Sequence, residues 1–381
     1  MALKGKTVLI LTGGGETQVL NATILGAVME ARSQGMRVLG GLQGWACLLG
    51  GKVADLTTID LTGVEDIGGT FLRTSRTNPL KEKEGPLRIM KRMAELKVDY
   101  LLPIGGDDTL GAASLLSSNH GVPLVAAPKT ADNDLGSTHF TPGFPSAAWE
   151  LAQMVNRLRR DCAIPRHRIF LIESQGGKAG WLPASGILGG AHMITVPEHE
   201  VPLGRFLRKA KEIYEKEEHL VIVVSKETRF DVPIGMVEDQ GDGFGVGRTR
   251  HIVVGLQEEL QKAIGASVQT VTPSNFIRSG KGHPMDIVMS QEIGAQAIRL
   301  MGEGRPGTMA TIIYEGGRLK VGSVSLGDVT AGSYHMLPKT YYSIDALLPT
   351  KEYGDYLETI FGEVDFGDGW YYSLMDKLYK G

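Results

Sequence analysis

From Thr7 onward the chain repeats one pattern: a short apolar run ends in glycines, a helical stretch follows, and another apolar run begins. Residues 7–11 are mostly apolar and end in Thr12-Gly13-Gly14-Gly15. Asn21 is placed to cap a helix and Gly35 to close it, with Ile24, Val28 and Ala31 at helical spacing between them. Residues 37–40, 100–104 and 124–127 read as further strands. Pro86 opens a helix carrying Leu87, Met90, Met93 and Leu96 on one side, and residues 109–116 form another. The pattern restarts after Gly143: helix 146–160, strand 168–173, helix 204–217, strand 219–225 and, further on, helix 290–303. Such alternation builds a parallel sheet with helices on both faces, because a parallel crossover needs a helix to return the chain. The expected fold class is therefore α/β, with two Rossmann-like lobes and mostly parallel sheets. A length of 381 residues also favours two domains.

Charge narrows the partners. Forty Lys+Arg against 43 Asp+Glu leave a net charge of −3, with no basic tail for nucleic acid and no basic face for a membrane surface. No apolar run approaches the length of a membrane span. The opening apolar run is short and lacks a small-residue cleavage site, so it reads as a strand rather than a signal peptide. Cys47 and Cys162 are the only cysteines, which gives no disulfide framework and fits a reducing, cytoplasmic setting. The nine histidines show no H-x-x-x-H spacing, and no G-x-S-x-G stands in a strand–turn–helix context, which argues against a zinc hydrolase and a serine hydrolase.

Two turns carry the chemistry. In Gly105-Gly106-Asp107-Asp108-Thr109 a strand ends, glycines expose backbone N–H groups and a helix begins. A helix N-terminus suits a phosphate, but two carboxylates there would repel one unless Mg²⁺ lies between them. After the next strand comes Pro128-Lys129-Thr130-Ala131-Asp132-Asn133-Asp134. In an open α/β sheet the carboxyl ends of strands line the ligand crevice, so both turns are expected to face one crevice. A base, a metal site and a cation together are the equipment of phosphoryl transfer. The glycines at 13–15 add a third wall. Arg76, Arg168 and Arg278 are candidate phosphate ligands, since arginine binds phosphate bidentately.

Together these residues resemble the phosphofructokinase family, from the first strand to about Gly307. The family's opening T-x-G-G-D-x-x-G-x-N is met by Thr12, Gly14, Gly15 and Asn21; its G-G-x-x-L-x-x-x-R looks like Gly68 to Arg76. Its G-G-D is Gly105-Gly106-Asp107, its T-x-D-N-D runs from Thr130 to Asp134, its V-P-E is Val196-Pro197-Glu198, and its R-x-G is Arg278 and Gly280. The resemblance implies Asp132 as general base, aided by Thr130 and Lys129, and Asp107 with Asp134 as Mg²⁺ ligands. It implies Gly14, Gly15, Arg76 and Asp108 for the phosphoryl donor. Arg168, Glu198, Arg278 and Gly176 would bind the acceptor, with Arg168 acting across a subunit interface.

Where ATP-using members carry glycine after G-G-D and between Pro and Thr, this chain has Asp108 and Lys129, a pair that resembles the pyrophosphate-using branch. An Asp side chain would crowd and repel the α-phosphate of a nucleotide, while Lys129 suits compact pyrophosphate. The acceptor end departs from the family. The usual M-G-R reads Gln175-Gly176-Gly177, with Lys178 next door, and the sugar-contacting Glu falls on Lys226. The reading is a Mg²⁺-dependent transfer from pyrophosphate to a sugar-phosphate hydroxyl. The alternatives are an ATP-dependent 6-phosphofructokinase, a related sugar or polyol kinase, or a non-catalytic sugar-phosphate sensor. The implied organisation is a donor lobe of residues 1–143 with roughly 284–340, an acceptor lobe of residues 144–283, and an aromatic-rich tail, 341–381, packed on the body. A homo-oligomer, dimer or tetramer, is expected.

Overall fold

The computed structural model describes residues 3–163, 168–234, 251–331 and 334–379. In chain order its first elements are β1 (Thr7–Thr12), α1 (Leu20–Ser33), β2 (Arg37–Gly41), β3 (Val53–Asp55), α2 (Gly85–Leu96), β4 (Tyr100–Gly105), α3 (Asp107–His120), β5 (Val125–Pro128) and α4 (Phe144–Ala163). There follow β6 (Arg168–Ser174), α5 (Trp181–Ala184), β7 (Met193–Thr195), β8 (Glu200–Val201), α6 (Leu203–Glu217), β9 (His219–Ser225), β10 (Arg229–Phe230), α7 (Ile252–Ile264), β11 (Ser267–Val271), α8 (Pro284–Gly302), β12 (Thr308–Glu315) and β13 (Arg318–Ser325). The α/β class expected from the alternation is the one observed.

The chain divides into two compact units. The first comprises Met1–Glu150, Gln175–Leu182 and Pro273–Leu337, and the second Leu151–Ser174, Pro183–Thr272 and Pro338–Gly381. The first unit holds a sheet of order β13-β12-β5-β4-β1-β2-β3. Its centre is parallel: β1 pairs with β2 and β4, and β5 with β4 and β12, while antiparallel partners close both edges. Every residue of β1 is buried, as a parallel strand covered on both faces requires. Leu9, Leu11, Leu101, Leu110, Leu116 and Leu124 belong to one core cluster that joins sheet to helix. The second unit holds a sheet of order β11-β6-β9-β7, parallel throughout, with its core around Ile169, Leu171, Phe206, Ile222 and Leu256.

Local details depart from the sequence reading. Asn21 does not cap α1, which has Val19 at its N-cap and no side-chain cap. The Asn21 amide instead donates to Ile67 O (2.9 Å) and accepts from Phe71 N (3.0 Å), which fastens the loop leading to Arg76. The two paired peptide groups of that loop outweigh a single helix cap. Helix α3 begins at Asp107, two residues earlier than periodicity suggests, and α8 begins at Pro284 rather than at Ser290. Helices α1 and α8 meet through glycine: a Cβ at Gly26 would lie 2.0 Å from Gln291 O, and one at Gly294 would lie 2.1 Å from Thr23 O. A methyl at either place is sterically forbidden without parting the helices.

Candidate active site

The turns that follow β1, β4 and β5 meet because these strands are neighbours and parallel, so their carboxyl ends lie side by side. Backbone bonds lock them: Gly13 N donates to Ile104 O and Lys129 N to Gly105 O, both at 2.9 Å. The buried Thr109 side chain wedges between the first two turns. A Cβ at Gly13 or Gly105 would come within 2.2 Å or 2.5 Å of it. These glycines are needed for close packing, whereas Gly14, at φ 78°, supplies the turn itself.

A cavity of about 230 Å³ opens at this junction, lined among others by Asp107, Asp108, Lys129, Thr130, Asp132 and Asp134. Asp107 and Asp108 stand exposed in the first turn of α3, with Gly106 as N-cap. Lys129 is only 3% exposed, and its Nζ donates to Gly15 O at 2.6 Å. Thr130 is the hub of the third turn. Its N–H donates to Pro142 O (3.1 Å), its Oγ1 accepts from Asp132 N (3.1 Å), and its hydroxyl is hydrogen-bonded to Asp134. Asn133, between the two aspartates, adopts φ 56° and accepts Thr141 N at 2.8 Å, which lets Asp132 and Asp134 point the same way.

The charges are coupled. Burial, then Asp134, pushes the Asp132 carboxyl up to about 6 against the pull of Arg278 and Lys129. Burial raises Asp134 too, and Asp107 adds to it. Burial, then Arg278, pushes the Lys129 ammonium down to about 8, while Asp132 and Asp134 oppose this. Arg278 joins the site from residue 278 of the first unit. Its Nη1 donates to Glu16 O (3.3 Å), and its Nε and Nη2 both donate to Asn275 Oδ1 (3.1 and 2.7 Å). A Cβ at Gly15 would fall 2.3 Å from Arg278 Nη1, so a side chain there would displace the guanidinium.

A larger cavity, about 630 Å³, adjoins the first and shares Gly14, Gly15, Asp108 and Thr109 with it. Arg76, Lys81 and Trp45 are among its other walls. The indole Nε1 of Trp45 is buried and has no hydrogen-bond partner among the described residues. Of the sequence candidates, Gly14, Gly15, Arg76, Asp107, Asp108, Lys129, Thr130, Asp132 and Asp134 thus line two contiguous cavities, with Arg278 beside them. Gly176 is buried in the same unit; its neighbour Gly177, at φ 56°, would place a Cβ 3.0 Å from Asp132 Oδ2. Arg168 and Glu198 belong to the second unit, where Arg168 opens β6 and pairs with Asp161 at 2.8 Å.

The family profile described as Phosphofructokinase matches residues 7–301. The chain belongs to the phosphofructokinase family. A pyrophosphate–fructose 6-phosphate 1-phosphotransferase of Dictyoglomus thermophilum is 36% identical over 313 residues, covering 80% of this chain and 88% of its own. An ATP-dependent 6-phosphofructokinase of Halothermothrix orenii is 30% identical over 301 residues, 78% of this chain and 86% of that one. Among solved structures, a pyrophosphate-dependent phosphofructokinase from Marinobacter aquaeolei shares the fold with a TM-score of 0.83 at 23% identity, covering 96% and 94% of the two chains.

Within this phosphofructokinase-family chain, three site residues escaped the sequence reading. Tyr334 lines the smaller cavity from a segment beyond the alternating pattern. Asn275 holds the Arg278 guanidinium. Asp286, fully buried in α8, accepts Gly143 N, Ser146 N and the Ser146 hydroxyl, and so fixes the segment against which Thr130 is paired. Only an earlier start for α8 would have shown Asp286 as a buried acceptor.

Proposed function

We propose that this chain is a Mg²⁺-dependent phosphotransferase that moves a phosphoryl group from pyrophosphate to a hydroxyl of a sugar phosphate. The observation that carries the reading is the buried Lys129 ammonium beside Asp132 and Asp134, under the glycine turn, in one cavity with Asp107. In the proposal the acceptor hydroxyl gives its proton to Asp132, whose raised pKa suits a base working near neutrality. The freed oxygen forms the new P–O bond, the bridging P–O bond of pyrophosphate breaks, and phosphate leaves. Lys129, Thr130 and the backbone at Gly14 and Gly15 orient the donor, and Arg76 meets its far end.

The residues present fit Mg²⁺. Asp107 repels Asp134, a conflict that a divalent cation relieves. Among the described residues no group of three or more His, Cys, Asp or Glu side chains is placed to hold a metal unaided. An all-oxygen pair completed by phosphate oxygens is how Mg²⁺ is usually bound. Asp107 and Asp134 would hold it, and it would neutralise the charge on the transferred group.

Asp108 supports pyrophosphate over ATP. Its carboxylate stands where the two cavities join, and there it repels the α-phosphate of a nucleotide reaching into the larger one. The acceptor roles of Arg168, Glu198, Arg278 and Gly176 rest on family resemblance, as do the donor role of residues 1–143 with 284–340 and the acceptor role of residues 144–283. So do a cytoplasmic location and a homo-oligomer in which Arg168 serves a neighbouring copy. Among the described residues no helix is long and apolar enough to cross a membrane. A second acceptor class, another sugar phosphate or a polyol, is favoured by one observation: glycine, not arginine, packs against Asp132 at position 177.

The experiment is turnover with Mg²⁺, pyrophosphate or ATP, and a panel of sugar phosphates and polyols. Transfer from pyrophosphate is expected, and the double variant Asp108→Gly, Lys129→Gly should weaken it. Binding without any transfer would leave a sensor, and unchanged pyrophosphate use in the double variant would refute the donor assignment.

A further inference from the structure

The family match ends at residue 301, yet the cavity that holds Asp107 and Asp134 is walled on one side by Tyr334. The strap carrying this tyrosine is pinned at the next residue through both of its peptide groups. His335 N donates to Asp134 O at 2.8 Å, and the indole Nε1 of Trp181 donates to His335 O at 2.8 Å. The two rings also stack, with centroids 4.9 Å apart at 20°. Such anchoring, direct to the backbone of a site aspartate, fixes where the neighbouring tyrosine stands.

Tyr334 feels the donor-side carboxylates. Its phenol shares the cavity with Asp107, Asp108 and Asp134, and a phenol is a proton donor at neutral pH. Lys178 Nζ sits 5.0 Å from the centroid of the same ring. Lys178 directly follows Gly177, whose backbone abuts Asp132. Tyr334 thus lines one cavity with the proposed base Asp132 and the proposed metal carboxylates Asp107 and Asp134, and the Lys178 ammonium lies over its ring. The arginine of the family's M-G-R motif is absent from this chain. Lys178, next in sequence to that position, and Tyr334, from outside the matched region, are two hydrogen-bond donors, one of them cationic.

We propose that Lys178 and Tyr334 contact the phosphoryl group in flight between pyrophosphate and acceptor, with the lysine ammonium and the tyrosine hydroxyl donating to its non-bridging oxygens. This rests on the phosphotransferase reading above. Tyrosine serves because its ring holds the flexible lysine by a cation–π contact while its hydroxyl reaches the oxygens.

The test uses Tyr334→Phe, which keeps the ring and the anchoring at His335, and Lys178→Met, which keeps the stem. Steady-state kinetics with pyrophosphate and the best acceptor are paired with calorimetric binding of imidodiphosphate in the presence of Mg²⁺. Each variant should lower kcat about tenfold or more, the effect of losing one hydrogen bond to a charged group. Imidodiphosphate binding should weaken, the KM for the acceptor should stay within about twofold, and thermal melting should be unchanged. Wild-type kcat and wild-type imidodiphosphate affinity in both variants would overturn the proposal, and so would an effect confined to the acceptor KM. If the wild type transfers nothing from pyrophosphate, the phosphotransferase reading falls. The binding arm then judges the pair alone: weaker imidodiphosphate binding in both variants supports the contact, and equal binding refutes it.

Discussion

Replacing Lys129 by Met separates a functional cation from a structural one. The ammonium is buried and its pKa is pushed from 10.5 down to about 8, so the folded protein holds this proton less tightly than the unfolded chain does. A depression of that size corresponds to roughly 3 kcal/mol. Because the folded value lies below the unfolded one, the penalty is fully present below pH 8 and fades as pH rises from 8 towards 10.5. Against it stands the 2.6 Å bond from the ammonium to Gly15 O, a hydrogen bond to a charged group worth about 1.5–3 kcal/mol. The two terms nearly cancel, so Lys129→Met should change folding stability by less than about 2 kcal/mol. Breaking a buried pair that truly held the fold would cost about 3–5 kcal/mol. Turnover should behave otherwise: loss of a charge-assisted contact to phosphate lowers kcat/KM by about tenfold to a hundredfold. The assay is urea denaturation at pH 7 with EDTA, so that no divalent ion intervenes, beside steady-state kinetics with pyrophosphate and Mg²⁺. A variant destabilised by more than 3 kcal/mol, yet turning over at the wild-type rate, would show that Lys129 is a core ion-pair residue.

Other outcomes follow from the same geometry. Gly294→Ala forces a methyl to 2.1 Å from Thr23 O across the α1–α8 contact and should cost about 1–3 kcal/mol or more, read as a lower melting temperature. Burial pushes Asp286 up to about 6 from 3.8, so the folded state binds its proton more tightly; its contribution is present below pH 4 and lost as pH rises through 6. Asp286→Asn should remove that part of the decline between pH 4 and pH 7, seen as a flatter stability–pH curve in denaturant titrations. Asp132→Asn should abolish transfer while leaving imidodiphosphate binding intact; residual turnover within about tenfold of wild type would deny Asp132 the role of base. Chelation of divalent ions should stop turnover and added Mg²⁺ should restore it, as measured by release of phosphate.

The sequence by itself determined the α/β class, because strand–glycine–helix alternation leaves few other ways to bury short apolar runs. It also marked residues that the fold brings into one candidate site, since turns at the carboxyl ends of parallel strands can be read once the strands are found. Asp107, Lys129 and Asp132 were legible for that reason. What tertiary structure decided is which strands are neighbours and which distant segments reach the turns they carry. No local pattern brings Tyr334 to the cavity that holds Asp107, binds Arg278 to the backbone of the first turn, or sets Asp286 against Gly143. Nor does it turn Asn21 from a helix cap into the clasp of a loop 46 residues away. Those contacts arise from packing between elements remote in sequence, where the gain is burial and satisfied hydrogen bonds, and neither leaves a periodic trace along the chain.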